Sequence, residues 1–329
     1  MPPFRADFRA LFFATGSPRK VPPENLRAEW IRMIRLLPVV AALLVLLSAM
    51  MLTPQAARAA ESYQNCTGIV TSVPAVISTE GTWCLQSDLS LGAYIGSGNA
   101  IDIQSDNVTL DCNGFKLVSL GTDPTRSVLG VHSYDRSHVT VRHCDIRGFF
   151  TGVYLQGALA TSNSGNRIED NRLDGNIWIG IRIIGNSSVI RRNRVFDTHA
   201  GPHFCAGYGI VVDGANDDVM DNTISGVVAS SGDGCDAYGI YTMEDAAGSV
   251  VGNRIRGVVA DGIGASTGIR NDVGDRLTMR ENDLVGNGAA DSIGVLCGKP
   301  TQRARDNTIN GFASGLAYCS DDGGNTIAP

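Results

Sequence analysis

Arginine and tyrosine recur at matching positions along the chain. Tyr154, Arg182, Tyr241 and Arg270 each stand two residues after a glycine. A guanidinium group pairs with a carboxylate through two hydrogen bonds, and an aromatic ring stacks on the apolar face of a sugar. We therefore predict that the two arginines neutralise substrate carboxylates and that the two tyrosines bind sugar rings. The alternative is an ordinary solvated sheet face, which carries such residues routinely.

Two longer insertions bring further reactive groups close to these positions. Residues 197–205 include His203, and residues 228–235 precede the next repeat. His203 is a candidate general base, and Tyr208 or Tyr238 is a candidate acid. Loops on a rigid scaffold are usual places for such groups. This set of residues predicts proton transfer next to a carboxylate.

Carboxylates on the same repeats suggest two other kinds of site. Asp213, Glu244 and Asp272 are candidate ligands for Ca²⁺, the one cofactor that the sequence suggests. A pair drawn from these residues and Asp236 is also what a glycoside hydrolase would need. We further assign Asp236 to substrate binding.

The elements that must position these side chains are marked by two alternating phrases. The first is glycine followed by an apolar residue: Gly152, Gly180, Gly209, Gly239, Gly268, Gly294 and Gly315, separated by 28, 29, 30, 29, 26 and 21 residues. The second is Asn-x-apolar: Asn171, Asn193, Asn222, Asn253, Asn282 and Asn307. A period this short, built from Val- and Ile-rich runs without helical periodicity, predicts a solenoid of stacked strands.

Stacking strands coil on coil satisfies backbone hydrogen bonds between coils, about 4.8 Å apart, and lets asparagine amides bond in a ladder. Because side chains alternate along a strand, the residue after each glycine should point inward and the next should point outward. The inward row reads Val153, Ile181, Ile210, Ile240 and Ile269. Three other histidines, His132, His138 and His143, fall in earlier coils, and we interpret them as surface or turn residues.

The eight cysteines follow the same period. Cys205 and Cys235 are 30 residues apart in matching contexts, so stacked coils would bring them within disulfide distance. We predict this pair and three others: Cys112–Cys144, Cys297–Cys319 and Cys66–Cys84. Each would stabilise the fold by about 3 kcal/mol in the chain-entropy model. No Cys-x-x-Cys pair is present to begin a zinc site.

The first part of the chain has the features of an export signal. An apolar run at 36–52 follows Arg32 and Arg35 and precedes Ala57-Arg58-Ala59. We predict a signal region over residues 1–59, with a true start at Met33, and cleavage after Ala59. The alternative is an anchor helix. The mature protein should be secreted or periplasmic, without a stable membrane anchor, and monomeric.

The charge of the remainder argues against a nucleic-acid partner. The chain has 27 Lys and Arg and 33 Asp and Glu residues, of which 8 basic and 3 acidic ones precede residue 60, leaving a net charge near −11. Phosphate binding needs a basic surface. Residues 60–100 lack both phrases and are predicted to be an N-terminal cap, with the repeats filling 101–329.

Residues Asp106–Gly114 and the Asn-x-Ile phrases resemble the right-handed parallel β-helix repeat proteins of the pectate-lyase-like superfamily. The resemblance implies an all-β fold, a single-stranded right-handed parallel β-helix. It also implies a polysaccharide partner and a bias toward lyases and epimerases of acidic glycans. The Asp-Pro-His motif of mannuronan epimerases is matched loosely by 201–203, where Gly201 replaces the aspartate. We expect an exported β-helix protein that binds and modifies a polysaccharide; the alternative is a non-catalytic surface or carbohydrate-binding protein.

Overall fold

The computed structural model describes residues 65–92, 98–121, 127–157, 164–201, 204–230, 232, 234–243 and 247–329. The predicted signal region lies outside them. Within the described residues the chain forms 31 β-strands and no α-helix. No helix there is long and apolar enough to cross a membrane.

The strands are short, and most have three to six residues. The first ten are β1 (Gly68–Val70), β2 (Ala75–Ile77), β3 (Gly81–Leu85), β4 (Leu89–Leu91), β5 (Gly98–Ile103), β6 (Val108–Asp111), β7 (Lys116–Ser119), β8 (Val128–Tyr134), β9 (Thr140–Arg142) and β10 (Asp145–Arg147). The next ten are β11 (Thr151–Gln156), β12 (Arg167–Glu169), β13 (Arg172–Asp174), β14 (Ile179–Ile184), β15 (Val189–Arg191), β16 (Arg194–His199), β17 (Gly207–Asp213), β18 (Asp218–Met220), β19 (Thr223–Val228) and β20 (Ala237–Met243). The last eleven are β21 (Ser249–Val251), β22 (Arg254–Val259), β23 (Ser266–Asn271), β24 (Thr278–Arg280), β25 (Asp283–Val285), β26 (Ser292–Cys297), β27 (Arg303–Arg305), β28 (Thr308–Asn310), β29 (Ser314–Ala317), β30 (Ser320–Asp321) and β31 (Thr326–Ala328).

These strands form three parallel sheets. Sheet A contains β1 and then every third strand from β3 to β30, sheet B every third strand from β2 to β29, and sheet C every third strand from β4 to β31. The chain therefore visits the three sheets in turn, which is the predicted all-β, right-handed parallel β-helix. Strands β1 to β4 pair into the same three sheets. The predicted N-terminal cap and its boundary at residue 100 stay predictions.

The interior is built from the residues that follow the repeated glycines. Ile181 pairs with Ile210, and Ile210 with Ile240, in register along sheet B. The predicted inward row, Val153, Ile181, Ile210, Ile240 and Ile269, has no solvent exposure. Burial of such a side chain contributes about 1.5–3 kcal/mol.

Glycine is required in the first phrase because neighbouring coils approach closely there. A Cβ atom on Gly209 would lie 2.5 Å from the carbonyl oxygen of Gly239, and one on Gly239 would lie 2.6 Å from that of Gly268. Real Cβ atoms do not approach so closely, so a side chain would push the coils apart.

The second phrase forms a buried amide ladder between sheets A and C. The Asn193 side chain donates to Oδ1 of Asn222 at 3.1 Å, and Asn222 donates to Oδ1 of Asn253 at 3.0 Å. The rungs are Asn171, Asn193, Asn222, Asn253, Asn282, Asn307 and Asn325. Each Oδ1 that accepts a side chain also accepts the backbone N–H of the same preceding rung, so the turn leaves few buried polar groups unpaired.

Four disulfides connect neighbouring coils, and they are the four predicted pairs. The Cα–Cα distances are 5.9 Å for Cys66–Cys84, 4.7 Å for Cys112–Cys144, 4.9 Å for Cys205–Cys235 and 5.1 Å for Cys297–Cys319. The coil spacing of the solenoid thus matches the separation that a disulfide requires.

Candidate functional site

The outer face of sheet B carries one continuous row of outward side chains, one from each coil. The row reads Asp102, His132, Tyr154, Arg182, Val211, Tyr241 and Arg270 in successive register pairs. We call this row the outer row. Its last five members are the predicted outward row, and it continues by two further residues toward the N-terminus.

Arg182 lies over the ring of Tyr154. Its guanidinium carbon is 5.1 Å from the ring centroid, within cation–π distance. The buried Nε of Arg182 has no hydrogen-bond partner. None of the ion pairs among the described residues involves Arg182. Its positive charge is therefore not neutralised by any residue that the structure describes.

Arg270 has a different environment. Its Nε donates to Oδ1 of Asp272 at 2.6 Å, and its Nη1 donates to the Tyr238 hydroxyl at 2.8 Å. The guanidinium carbon also lies 5.3 Å and 5.4 Å from the ring centroids of Tyr238 and Tyr241. The second oxygen of Asp272 accepts the Tyr241 hydroxyl. Arg270 is thus part of a closed polar network.

Three tyrosine rings stack beside this network. The centroids of Tyr208 and Tyr238 are 5.2 Å apart, and those of Tyr238 and Tyr241 are 5.1 Å apart. The Tyr238 hydroxyl donates to Asp236 at 2.5 Å. Burial, and then the hydrogen bonds to carboxylates, raise the pKa of Tyr238 and of Tyr241 well above the ordinary tyrosine value. Both hydroxyls therefore keep their protons at neutral pH.

Tyr208 is the member of the stack whose hydroxyl makes no hydrogen bond to another described residue. Burial, and then the charge of Asp236, raise the pKa of Tyr208, whereas Arg270 and Arg182 act in the opposite direction. The hydroxyl consequently lies within electrostatic range of both arginines. It is protonated at neutral pH and free to donate.

An aromatic cluster that the sequence analysis did not identify borders Tyr208. The Trp178 ring lies 5.0 Å from Phe150, 4.8 Å from Phe204 and 6.2 Å from Tyr208, between centroids. Phe150 and Trp178 each stand two residues before a repeated glycine, so the 28-residue spacing could have predicted their stacking. Phe204 precedes Cys205, whose disulfide to Cys235 attaches this segment to the next coil.

A second polar cluster occupies the N-terminal end of the outer row. Nδ1 of His132 is 2.7 Å from Oδ1 of Asp102, and Gln104 donates to Oδ2 of the same carboxylate at 2.7 Å. Asn99 donates to Asp102 at 3.0 Å. Burial acts to raise the pKa of Asp102, but the hydrogen bonds from His132 and Gln104 outweigh it and the pKa lies below its usual value.

His132, interpreted from the sequence as a surface or turn residue, lies in a strand on the outer face of sheet B and not in a turn. His132 lies within β8 and its side chain is only 18% exposed. His138 and His143 do occupy turns, with φ of 58° and 52°.

The candidate carboxylates are distributed along the same face. Asp213 pairs in register with Ile184 and Met243, two residues after the outer-row residue Val211. Its charge acts to raise the pKa of Tyr154. His203 and Glu244 lie outside the described residues. Within the described part of the chain, no group of three His, Cys, Asp or Glu residues has the arrangement of a metal site. The predicted Ca²⁺ ligands and the alternative hydrolase pair stay predictions.

The predicted site residues therefore fall into two groups. Tyr154 and Arg182 contact each other, next to the Asp102–His132 pair. The second group contains Tyr208, Tyr238, Tyr241, Arg270, Asp236 and Asp272. Tyr208 interacts with both groups, because the charges of Arg182 and Arg270 each act to lower its pKa.

The repeats and this geometry define a family of parallel β-helix proteins. The family described as "Right handed beta helix region" matches residues 90–226 and 157–328. The chain belongs to this family. No functionally curated protein matches the chain.

Solved structures with a similar fold are distant in sequence. The tailspike protein of Acinetobacter baumannii bacteriophage Fri1, a capsular polysaccharide depolymerase, is 11% identical with a TM-score of 0.43, over 80% of this chain and 57% of its own. The A-module of a mannuronan C-5 epimerase from Azotobacter vinelandii is 14% identical with a TM-score of 0.39, over 82% of this chain and 92% of its own. The Dettilon tailspike protein is 15% identical with a TM-score of 0.30, over 79% of this chain and 60% of its own. The chain thus spans less than two thirds of either tailspike.

Proposed function

We propose that the protein is exported and that the outer face of sheet B binds an acidic polysaccharide and modifies it, as a lyase or an epimerase. The proposal depends mainly on one observation. The guanidinium of Arg182 has no ion-pair partner among the described residues, and it lies beside a row of aromatic rings. A partly buried cation without an internal partner is stabilised when a ligand supplies a carboxylate. Outside the cytoplasm, four disulfides would persist.

The spacing of the outer row supports a polymer rather than a small molecule. Successive coils present one side chain about every 4.8 Å, which is close to the length of a sugar unit. The aromatic rings of Trp178, Tyr208 and Tyr238 continue alongside this row at centroid distances of 5.2 to 6.2 Å. The net negative charge of the repeats would confine a polyanion to the strip that contains the arginines.

The available groups favour proton transfer beside the carboxylate. Arg182 would stabilise the charge that develops on the carboxylate when the adjacent C–H bond is broken. The protonated hydroxyl of Tyr208 would serve as the acid. His203 remains the proposed base on the neighbouring loop, and Asp213, Glu244 and Asp272 the proposed Ca²⁺ ligands.

The second candidate function is carbohydrate binding without catalysis. The closed network around Arg270 favours it, because Asp236, Tyr238 and Asp272 already satisfy one another's hydrogen bonds. Groups held in this way position a ligand more readily than they exchange protons with it.

The two functions are separated by measuring binding and turnover on the same samples. Purified mature protein is incubated with polygalacturonate, alginate, hyaluronate and, as a neutral control, dextran, with and without Ca²⁺. Unsaturated products would appear as ultraviolet absorbance, and epimerisation as incorporation of solvent deuterium at the carbon next to the carboxylate. Turnover on an acidic member supports the enzyme. Binding without either signal supports the second function, and absence of binding contradicts both.

A further inference from the structure

We propose that His132, oriented by Asp102, is the base that removes the proton in this reaction, and that the reacting sugar therefore lies over Tyr154. This inference rests on the proposed function and assigns its reaction to the N-terminal end of the outer row. It gives the role of base to His132 in place of the loop residue His203, and the role of acid to Tyr154 in place of Tyr208.

The contacts of Asp102 fix which nitrogen of His132 is basic. Nδ1 of His132 lies 2.7 Å from Oδ1 of Asp102 and 3.0 Å from the amide nitrogen of Asn99. We assign the proton to Nδ1 because the contact with the charged acceptor is the shorter one, and the Asn99 amide can donate to Oδ1 of Asp102 instead. Nε2 of the neutral ring is then the unprotonated nitrogen. A carboxylate that holds an imidazole in this tautomer also stabilises the imidazolium that forms when the ring accepts a proton.

The carboxylate is itself held in place. Gln104 binds one oxygen of Asp102 at 2.7 Å, and Asn99 binds the other at 3.0 Å. The side chains of His132 and Asp102 are 18% and 22% exposed, so the pair is sheltered yet reachable from solvent. An ordinary surface ion pair does not need two further amide donors to orient it.

The Asp102–His132 pair and Arg182 lie next to the same ring, that of Tyr154. The His132 ring lies edge-on to Tyr154 with 5.5 Å between centroids, and Arg182 lies 5.1 Å from the same Tyr154 ring. A uronate that binds its carboxylate to Arg182 and stacks on Tyr154 would therefore extend its ring toward His132. The C–H bond next to the carboxylate is the bond that such a pose brings toward the base.

The reaction then balances without an external oxidant or reductant. The proton on C5 passes to Nε2 of His132, and the electron pair of the C–H bond moves into the carboxylate, where Arg182 stabilises it. In a lyase the pair returns to form the C4–C5 double bond as the C4–O bond breaks. The leaving oxygen takes the hydroxyl proton of Tyr154. Transfer of the proton from His132 through solvent to the Tyr154 phenolate then returns both residues to their starting states.

Tyr154 is suited to donate a proton to the leaving oxygen. Burial raises its pKa, with Arg182 acting in the opposite direction, so the hydroxyl is protonated at neutral pH. It donates to Gln156 at 2.8 Å, a neutral acceptor that a leaving oxygen can replace. The partly exposed rings of Tyr208 and Tyr241 would then hold neighbouring sugars, with the buried ring of Tyr238 stacked beside them.

Turnover of three variants tests the assignment on any acidic polysaccharide of the panel that the wild type converts. His132→Gln keeps the size and polarity of the side chain and should lower kcat about 100-fold or more, with KM changed less than about threefold. The matched control is His138→Asn, an exposed turn position with φ of 58°, where asparagine is tolerated and activity should be unchanged. A His132→Gln enzyme within a few-fold of wild type, together with an inactive His203→Ala enzyme, would overturn the inference and leave the proposed function intact.

The orienting role of Asp102 has a readout that does not depend on turnover. ¹⁵N NMR of the imidazole should show His132 protonated on Nδ1 in the wild type. Asp102→Asn should lose that preference and lower kcat at similar KM, and thermal unfolding would verify that it is folded. Addition of polygalacturonate or alginate should shift the Nε2 signal.

The outcomes separate the two proposals. Binding with no shift at His132 Nε2, or an Nε2–H tautomer in the wild type, overturns the inference alone. Binding that shifts Nε2 without turnover of any substrate makes His132 a contact residue and overturns its catalytic role. Absence of binding to the whole panel overturns the proposed function as well.

Discussion

Arg182 and Arg270 occupy equivalent positions in β14 and β23, yet their surroundings are opposite. Arg270 binds Asp272 at 2.6 Å and the Tyr238 hydroxyl at 2.8 Å, whereas among the described residues the guanidinium of Arg182 contacts the ring of Tyr154 and no carboxylate. The same residue type at the same register thus has two environments. Arg270 holds its neighbours in place, and Arg182 is the arginine that we propose pairs with a ligand.

Carboxylates show the same contrast. Asp272 is satisfied by Arg270 and Tyr241, but Asp217, between sheets B and A, is only 3% exposed and its Oδ2 has no partner in the described structure. Burial raises the pKa of Asp217 to about 7, against the hydrogen bonds from Ser188. Asp217 and Asp272 therefore provide a second pair of groups, one without and one with internal partners, on which the comparison can be tested.

The largest expected effect is that of Asp217→Asn on stability. The folded pKa of about 7 exceeds the ordinary value of 3.8, so ionisation in the unfolded state destabilises the wild type as pH rises from about 4 to 7. At about 1.4 kcal/mol per pKa unit, the variant should be more stable by roughly 4 kcal/mol above pH 7 and equal to wild type in acid. Denaturant unfolding across pH measures this. The exposed carboxylate of Asp221 gives the control, since Asp221→Asn should change stability by less than about 0.5 kcal/mol.

Removal of the disulfides comes next. The double variants Cys205→Ser/Cys235→Ser and Cys112→Ser/Cys144→Ser open separations of 30 and 32 residues, and each should lose about 3–4 kcal/mol. Only the first releases Phe204 from the aromatic cluster, so only the first should weaken polysaccharide binding. Equal affinities for the two variants would show that the cluster does not depend on its disulfide.

Arg182→Ala should reduce affinity for acidic polysaccharide about 30- to 100-fold, equivalent to roughly 2–3 kcal/mol for one charge-assisted pair. Its effect on stability should be below about 0.5 kcal/mol, because no described carboxylate loses a partner. Calorimetric titration and thermal unfolding measure the two quantities. An affinity equal to wild type would remove Arg182 from the binding site.

Arg270→Ala should show the reverse pattern, with a smaller effect. The variant leaves Asp272 and Tyr238 without their donor at a partly exposed position, so a loss of about 1–2 kcal/mol of stability is expected. Affinity for the same polysaccharide should fall less than in Arg182→Ala. If both variants lose affinity equally, the two arginines contribute equally to binding. Their different hydrogen bonds would then be a property of the unliganded protein alone.

The sequence predicts the parts of the molecule that depend on spacing. The interval between Gly209 and Gly239 determines the register, which in turn predicts that Ile210 and Ile240 are buried and that Cys205 reaches Cys235. The stacking of Trp178 on Phe150 follows from the same period, although it was not recognised. These features depend on the backbone, which the repeat specifies.

The arrangement of the site depends instead on side-chain conformation. The period alone does not distinguish Arg182 from Arg270. The difference arises at the second residue after each arginine, which is Ile184 in one coil and Asp272 in the other. The Asp102–His132 pair was missed for another reason. Gly130-Val131-His132 repeats the first phrase 22 residues before Gly152-Val153-Tyr154, but it was not included in the row of repeated glycines, and Asp102 has no such glycine before it. Their 30-residue separation is nevertheless one period.

The asparagine ladder makes each coil an interchangeable unit of length. Each rung bonds to the neighbouring rungs and to one backbone carbonyl of the preceding coil, and this pattern repeats along the ladder. A coil of about 30 residues could therefore be duplicated or deleted without altering the pattern. Each such change would lengthen or shorten the face of sheet B by about 4.8 Å, close to one sugar. The number of coils therefore sets the length of the face that we propose binds polysaccharide, and that length can change without any change in the residues of the proposed site.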